Sequence, residues 1–136
     1  MKKIDNLILV EDDEVFAYLT TKIIKETNLV EQIKIFGDGN SAITYLKGIA
    51  DKNELLPDLI LLDLNMPILD GWGFLDEFIS YKSNFGKKIT IYIMTSSISP
   101  HDVERSKKIS EVSDFIVKPV TKEKFINTIV NYSEEE

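Results

Sequence analysis

The sequence alternates five times between a short apolar run and a longer segment whose apolar residues recur at helical spacing. The apolar runs lie at 7–10, 33–36, 59–62, 89–94 and 115–117. Such runs, rich in aliphatic residues, are typical of strands that are buried on both faces of a parallel sheet. Between them lie stripes such as Phe16, Leu19 and Ile23, which mark one face of a helix. The alternation therefore predicts a doubly wound α/β fold, a five-stranded parallel sheet with helices on both faces.

Length and composition narrow the class of protein. With 136 residues the chain has room for one domain, which we place at 1–136 with a short acidic tail at 134–136. The absence of cysteine excludes a thiol nucleophile and Cys-ligated metal. A net charge of −7 argues against nucleic-acid binding, and no apolar stretch approaches the ~20 residues that span a bilayer. We therefore expect a cytoplasmic protein with neither a nucleic-acid nor a membrane partner.

Polar residues with related chemistry follow the predicted strands. Glu11 and Asp12 follow the first apolar run, Asp63 the third, Thr95 the fourth and Lys118 the fifth. In an open α/β sheet the ligand site lies beyond the carboxyl ends of the strands, where the strand order reverses. For the flavodoxin-like order 2-1-3-4-5 this point lies between the first and third strands. We therefore expect the three carboxylates side by side, flanked by Thr95 and Lys118.

A cluster of carboxylates requires a partner of positive charge. Two unit charges about 4 Å apart repel by roughly 4 kcal/mol at an effective dielectric constant near 20. An all-oxygen site with several carboxylates selects Mg²⁺, or alternatively Mn²⁺ or Ca²⁺. A lysine and a threonine hydroxyl suit phosphate oxygens. The cluster therefore predicts a metal-assisted phosphoryl site whose nucleophile is a carboxylate.

Four motifs carry a resemblance to a known family. They are Val-Glu-Asp-Asp at 10–13, Leu-Leu-Asp-Leu-Asn-Met-Pro-Ile-Leu-Asp-Gly at 61–71, Met-Thr-Ser at 94–96 and Val-Lys-Pro at 117–119. In this order and spacing, the chain resembles the receiver domain of bacterial response regulators, in particular the stand-alone CheY-like members. The resemblance covers almost the whole chain. It implies a single-domain response regulator of a two-component phosphorelay, a phosphoacceptor that assists its own phosphorylation and dephosphorylation rather than an enzyme.

The resemblance implies roles for the acidic residues. Asp63 matches the phosphoacceptor, which takes a phosphoryl group from a phosphohistidine. Glu11 and Asp12 match the acidic pair that holds Mg²⁺ together with Asp63, and Asn65 would add its backbone carbonyl. The phosphoryl donor would be a sensor histidine kinase or a histidine phosphotransfer protein.

The resemblance also implies how the signal leaves the site. Thr95 and Lys118 match residues that assist catalysis and, with Asn65 and Ser96, contact the phosphoryl group. Thr95 and Phe115 match the switch residues, whose movement would reshape the face of the fourth helix, fifth strand and fifth helix. That face would bind an unknown downstream protein, and the chain would be a monomer or a phosphorylation-dependent homodimer.

Several alternatives stay open. The chain could be a receiver-type module that binds a partner without phosphorylation, or a phosphate relay or sink. An aspartyl-phosphate hydrolase is a third alternative, but such enzymes need an acid two residues after the nucleophile, and Asn65 stands there. Asp12 or Asp13 could simply cap the first helix. The polar segments 51–57 and 80–88 are predicted loops, the second with solvated lysines.

Overall fold

Five parallel strands form one sheet, in the order β2-β1-β3-β4-β5, in the computed structural model, which describes residues 3–66 and 69–135. The strands are β1 (Ile4–Val10), β2 (Val30–Phe36), β3 (Leu59–Asp63), β4 (Thr90–Thr95) and β5 (Val112–Val117). Neighbouring strands pair in parallel throughout. The predicted fold class and strand order are therefore confirmed. Pro67 and Ile68, which belong to the longest motif, lie outside the described residues, as does Glu136 of the acidic tail.

Helices follow the strands in strict alternation and are set by local capping signals. They are α1 (Glu14–Glu26), α2 (Gly39–Gly48), α3 (Gly71–Tyr81), α4 (Pro100–Ser106) and α5 (Lys122–Glu135). The first four begin after residues whose side chains accept a hydrogen bond from the N–H three positions later, namely Asp13, Asp38, Asp70 and Ser99. Of the two alternatives for the first helix, Asp13 is thus the cap. Among the described residues, no helix combines the length and the apolar character needed to cross a membrane.

The sheet separates two apolar cores, one packed against each of its faces. One core lies against α2 and α3 and contains side chains such as Ile8, Ile60 and Phe74. The other lies against α1 and α5 and contains Leu9 and Phe125. All five residues of β3 are buried, as the continuous apolar run predicts for a central parallel strand. The central strands are therefore packed on both faces up to their carboxyl ends.

Two expectations need correction. Three strands begin earlier than their apolar runs, because polar residues such as Asn6 at the start of β1 still pair with the neighbouring strand. The segment 80–88 is not simply a loop, since α3 continues to Tyr81 and a 3₁₀ turn covers Lys82–Asn84. The Phe85 ring, which packs 5.4 Å from the Phe78 ring centroid and 5.7 Å from that of Tyr81, anchors the segment.

Candidate functional site

Three carboxylates converge beyond the carboxyl ends of β1 and β3. Val10 pairs with Leu62, so the residues that follow them, Glu11 and Asp63, lie next to each other. One carboxylate oxygen from each of these two residues and one from Asp12 lie within 4.8 Å of one another. Glu11 and Asp63 are each 2% exposed, whereas Asp12 is exposed to solvent. The sequence-predicted acidic cluster is therefore assembled, with one side open to water.

The backbone after β3 turns tightly around Asp63. The Asn65 amide donates a hydrogen bond of 3.2 Å to the Asp63 carboxylate, and the Gly71 amide donates one of 3.0 Å to the Leu64 carbonyl. A Cβ atom on Gly71 would lie only 2.7 Å from the Asp63 carbonyl oxygen, so this close approach requires glycine. The turn thereby fixes the position of the Asp63 carboxylate and brings the Asn65 backbone beside it.

Lys118 supplies positive charge from the end of β5. Its Nζ lies 2.7 Å from Glu11 Oε1 and 3.2 Å from Asp63 Oδ1, and its side chain is 20% exposed. The Lys118 amide donates to the Thr95 carbonyl at 2.7 Å, and the peptide bond to Pro119 is cis. Burial lowers the pKa of Lys118, but the hydrogen bond and charge of Glu11, together with Asp63, outweigh burial and raise the pKa above its ordinary value. The ammonium is therefore held charged between two carboxylates.

Burial has a larger effect on the pKa of Glu11 than its contact with Lys118. Burial, together with the nearby Asp63 carboxylate, raises the pKa of Glu11 from 4.5 to about 7, although the hydrogen bond from Lys118 and the Asp13 backbone N–H oppose this rise. The Asp13 amide lies 3.2 Å from Glu11 Oε2. In the part of the chain that the structure describes, three carboxylates lie together and Lys118 pairs with two of them.

This donor set fits a hard divalent cation. The carboxylates of Glu11, Asp12 and Asp63 are oxygen ligands at one point, and two of them are held in place by the sheet. Mg²⁺ and Mn²⁺ prefer such ligands and keep several water molecules, for which the exposed side near Asp12 leaves room. A cation there would favour the charged form of Glu11 and so oppose the rise in its pKa that burial and Asp63 cause.

Thr95 and Phe115, the predicted switch residues, lie in β4 and β5, and Ser96 follows β4 directly. Thr95 ends β4 and is buried, and its hydroxyl donates a hydrogen bond of 2.8 Å to the Ser97 carbonyl. Ser96 is exposed. Phe115 is half-buried and packs against the core on the α2 and α3 face of the sheet. The sequence did not indicate the hydrogen bond that occupies the Thr95 hydroxyl.

Two contacts between an aromatic ring and a cation were not predicted. The Phe16 ring, on the first turn of α1, lies 4.4 Å from Lys118 Nζ, measured to the ring centroid. The Trp72 ring lies 4.4 Å from the Arg105 guanidinium and so joins α3 to α4. In the sequence Phe16 is only one member of an apolar stripe, because spacing along a helix says nothing about a lysine 102 positions away.

Known proteins are similar to this chain in sequence. The sequence model of the response regulator receiver domain family matches residues 7–130 of the chain. The chain is 27% identical over 128 residues to the probable methanogenesis regulatory protein FilR2 of Methanothrix harundinacea, covering 94% of the chain and 81% of that protein. It is 33% identical over 99 residues to the response regulator Rcp1 of Synechocystis, covering 71% of the chain and 65% of Rcp1. Other curated relatives are longer, and the chain spans between 19% and 51% of their length.

Solved structures agree over nearly the whole fold. A two-component response regulator from Cytophaga hutchinsonii superposes with a TM-score of 0.86 at 29% identity, covering 98% of this chain and 99% of that one. The Mn²⁺-bound form of Rcp1 superposes with a TM-score of 0.72 at 27% identity, covering 95% and 92%. With the family match, the strand order and the acidic cluster, these similarities show that the chain belongs to the response regulator receiver domains of two-component signalling.

Proposed function

We propose that Asp63 accepts a phosphoryl group from a phosphohistidine of a sensor histidine kinase or a histidine phosphotransfer protein. A carboxylate oxygen of Asp63 would attack phosphorus and form a P–O bond. The P–N bond to the imidazole would break, and the electron pair would leave with the imidazole nitrogen. The observation that carries this proposal is the buried Asp63 carboxylate, which lies 3.2 Å from the Lys118 ammonium beside two further carboxylates.

Charge explains why these groups suit phosphoryl transfer. A phosphoryl group adds about −1.5 to −2 charges at neutral pH, and the site already carries an excess of carboxylates. Lys118 would pair with the phosphoryl oxygens from the position where it now contacts Asp63. Glu11, Asp12, Asp63 and the Asn65 carbonyl would hold Mg²⁺, which neutralises developing charge on the transferred group. The Mn²⁺-bound state of the similar Rcp1 supports a divalent cation.

We further propose that phosphorylation moves Thr95. Its hydroxyl now bonds to the Ser97 carbonyl, and this bond would be exchanged for one to a phosphoryl oxygen, with the Ser96 N–H also approaching. The movement would shift the loop that begins α4, and Phe115 would repack. Because packed interfaces have discrete arrangements, the face of α4, β5 and α5 would change between two states and alter binding to a downstream protein.

The test is reaction with a small phosphodonor. We expect acetyl phosphate and Mg²⁺ to add one phosphoryl group to the wild type, detected by intact-mass spectrometry. Asp63→Asn removes the nucleophilic carboxylate but keeps its shape, and we expect no added mass. Chelation of divalent cations is expected to slow the reaction at least tenfold, because the carboxylates then repel the donor.

A matched control lies at the other end of the same strand. Asp58 precedes β3 just as Asp63 ends it, and Asp58→Asn is expected to leave the added mass unchanged. Phosphorylation of Asp63→Asn, or none of the wild type, would contradict the proposal and favour a module that binds without phosphorylation. Steady-state hydrolysis of a small phosphoester would instead favour the hydrolase alternative.

A further inference from the structure

Phe16 lies against Lys118, the cation that contacts Glu11 and Asp63. Its ring centroid is 4.4 Å from Lys118 Nζ, well inside the ~6 Å at which an ammonium is attracted to an aromatic face. We infer that Phe16 is a positioning residue that holds the Lys118 ammonium toward Asp63. This inference rests on the proposed phosphoacceptor function.

The position of Phe16 is itself determined by the fold. Its amide donates a hydrogen bond of 3.0 Å to the Asp13 carboxylate, which caps α1. The half-buried ring packs against the core on the α1 and α5 face of the sheet. The ring therefore reaches Lys118 from a helix, whereas Glu11 and Asp63 reach it from the ends of strands.

An aromatic ring attracts the Lys118 ammonium without the negative charge that another carboxylate would add. The ammonium has three N–H donors, and carboxylates lie 2.7 and 3.2 Å away. The face of the Phe16 ring attracts the cation without adding negative charge to a site that must receive a phosphoryl group. It also uses no charged acceptor that the phosphoryl oxygens would have to displace. The ring thereby keeps a flexible side chain over the site and adds no acceptor that would compete with the phosphoryl oxygens for the N–H donors.

The first test reads the contact before any phosphodonor is added. The Hε protons of Lys118, observed with isotope-labelled lysine and assigned through Lys118→Arg, are expected to lie upfield because of the Phe16 ring current. In Phe16→Leu we expect these resonances near ordinary lysine positions, whereas in Phe16→Tyr the upfield shift is expected to remain. Unshifted resonances in the wild type would overturn the inference.

The second test follows the rate of phosphorylation by acetyl phosphate. We expect Phe16→Leu to slow it by about threefold to tenfold, the range that the loss of a cation–π contact supports. Phe16→Tyr and Phe16→Trp are expected to retain the wild-type rate, whatever their melting temperatures, because each keeps an aromatic face. The control is Phe85→Leu, a half-buried phenylalanine beside the amino end of the sheet, for which we expect no change in rate.

The outcomes separate this inference from the proposed function. A wild-type rate in Phe16→Leu, or rates that follow melting temperature rather than the presence of a ring, would overturn the role of Phe16 alone. A second outcome is that the wild type shows the ring-current shift while no donor phosphorylates Asp63. That result would overturn the phosphoacceptor function and, with it, the kinetic role of Phe16.

Discussion

The two ends of the sheet carry the same kinds of charged side chain but balance them differently. At the amino end, Asp58 accepts hydrogen bonds from the Asp5 amide at 3.0 Å and the Asn6 amide at 3.3 Å, and pairs with Lys87 Nζ at 2.5 Å. This carboxylate has its own lysine and two backbone donors. At the carboxyl end, two buried carboxylates share Lys118, and the exposed Asp12 adds a third.

The glutamates of the two ends show what this difference means. Partial burial raises the pKa of Glu111, but the hydrogen bonds from Lys82, from its own backbone N–H and from Ser110, with the charge of Lys82, together outweigh burial, and the pKa lies below its ordinary value. Burial raises the pKa of Glu11 to about 7, and Lys118 does not reverse the rise. The ion pairs at the amino end therefore stabilise the fold. At the carboxyl end, the described residues place three carboxylates around Lys118, an arrangement that fits the proposed cation site.

The largest expected effect concerns Glu11 in metal-free protein. Its folded-state pKa of about 7 exceeds the ordinary 4.5, so the folded state retains a proton that the unfolded chain releases. The resulting stability is present below pH 4.5 and is lost as pH rises to about 7. The glutamine in Glu11→Gln does not titrate. Between pH 4.5 and about 7 we therefore expect the wild type to lose about 3 kcal/mol of unfolding free energy relative to this variant. Urea unfolding at several pH values, with chelator present, measures this difference. If the free energies of unfolding of the two proteins changed in parallel with pH, the prediction would be contradicted.

The next effect is the loss of Asp58. Asp58→Ala removes the acceptor of the Asp5 and Asn6 amides and the carboxylate that pairs with Lys87, and we expect the free energy of unfolding to fall by about 2 kcal/mol. Asp58→Asn keeps one acceptor oxygen and is expected to lose less. Both variants are expected to be phosphorylated at the wild-type rate. A slower reaction in protein shown to be folded would mean that the two ends of the sheet are coupled.

The smallest effect concerns Glu111 and has the opposite dependence on pH. Because its pKa is lowered in the folded state, the stability that it contributes is present above its ordinary pKa of 4.5 and is lost as pH falls. Glu111→Gln is therefore expected to be less stable than the wild type at neutral pH, by under about 1 kcal/mol, since Lys82 is partly exposed. The two proteins are expected to converge in acid. Divergence in acid would show that Lys82 does not govern this glutamate.

Much of the fold could be predicted because its signals are local. A buried parallel strand requires a run of apolar residues, and β3 is such a run with all five residues buried. Capping residues such as Asp13 and Ser99 mark where helices begin. The first residues of the strands were harder to predict. The polar Asn6, for example, belongs to β1 because it pairs with β2, which the local sequence does not show. The expectation of solvated lysines in 80–88 was wrong for Lys82 and Lys87, whose acidic partners lie 29 positions away along the chain.

The sequence by itself determined which chemical groups follow each strand and, through the alternation of strands and helices, which of them meet. It therefore predicted that Glu11, Asp12 and Asp63 would converge with Lys118 beside them. Only the tertiary structure decided how these groups share charge: that Glu11 is buried while Asp12 is exposed, and that Lys118 lies between two carboxylates under an aromatic ring. The reason is that burial, pKa and ion pairing depend on distances between atoms from separate strands and helices, and no local pattern encodes those distances.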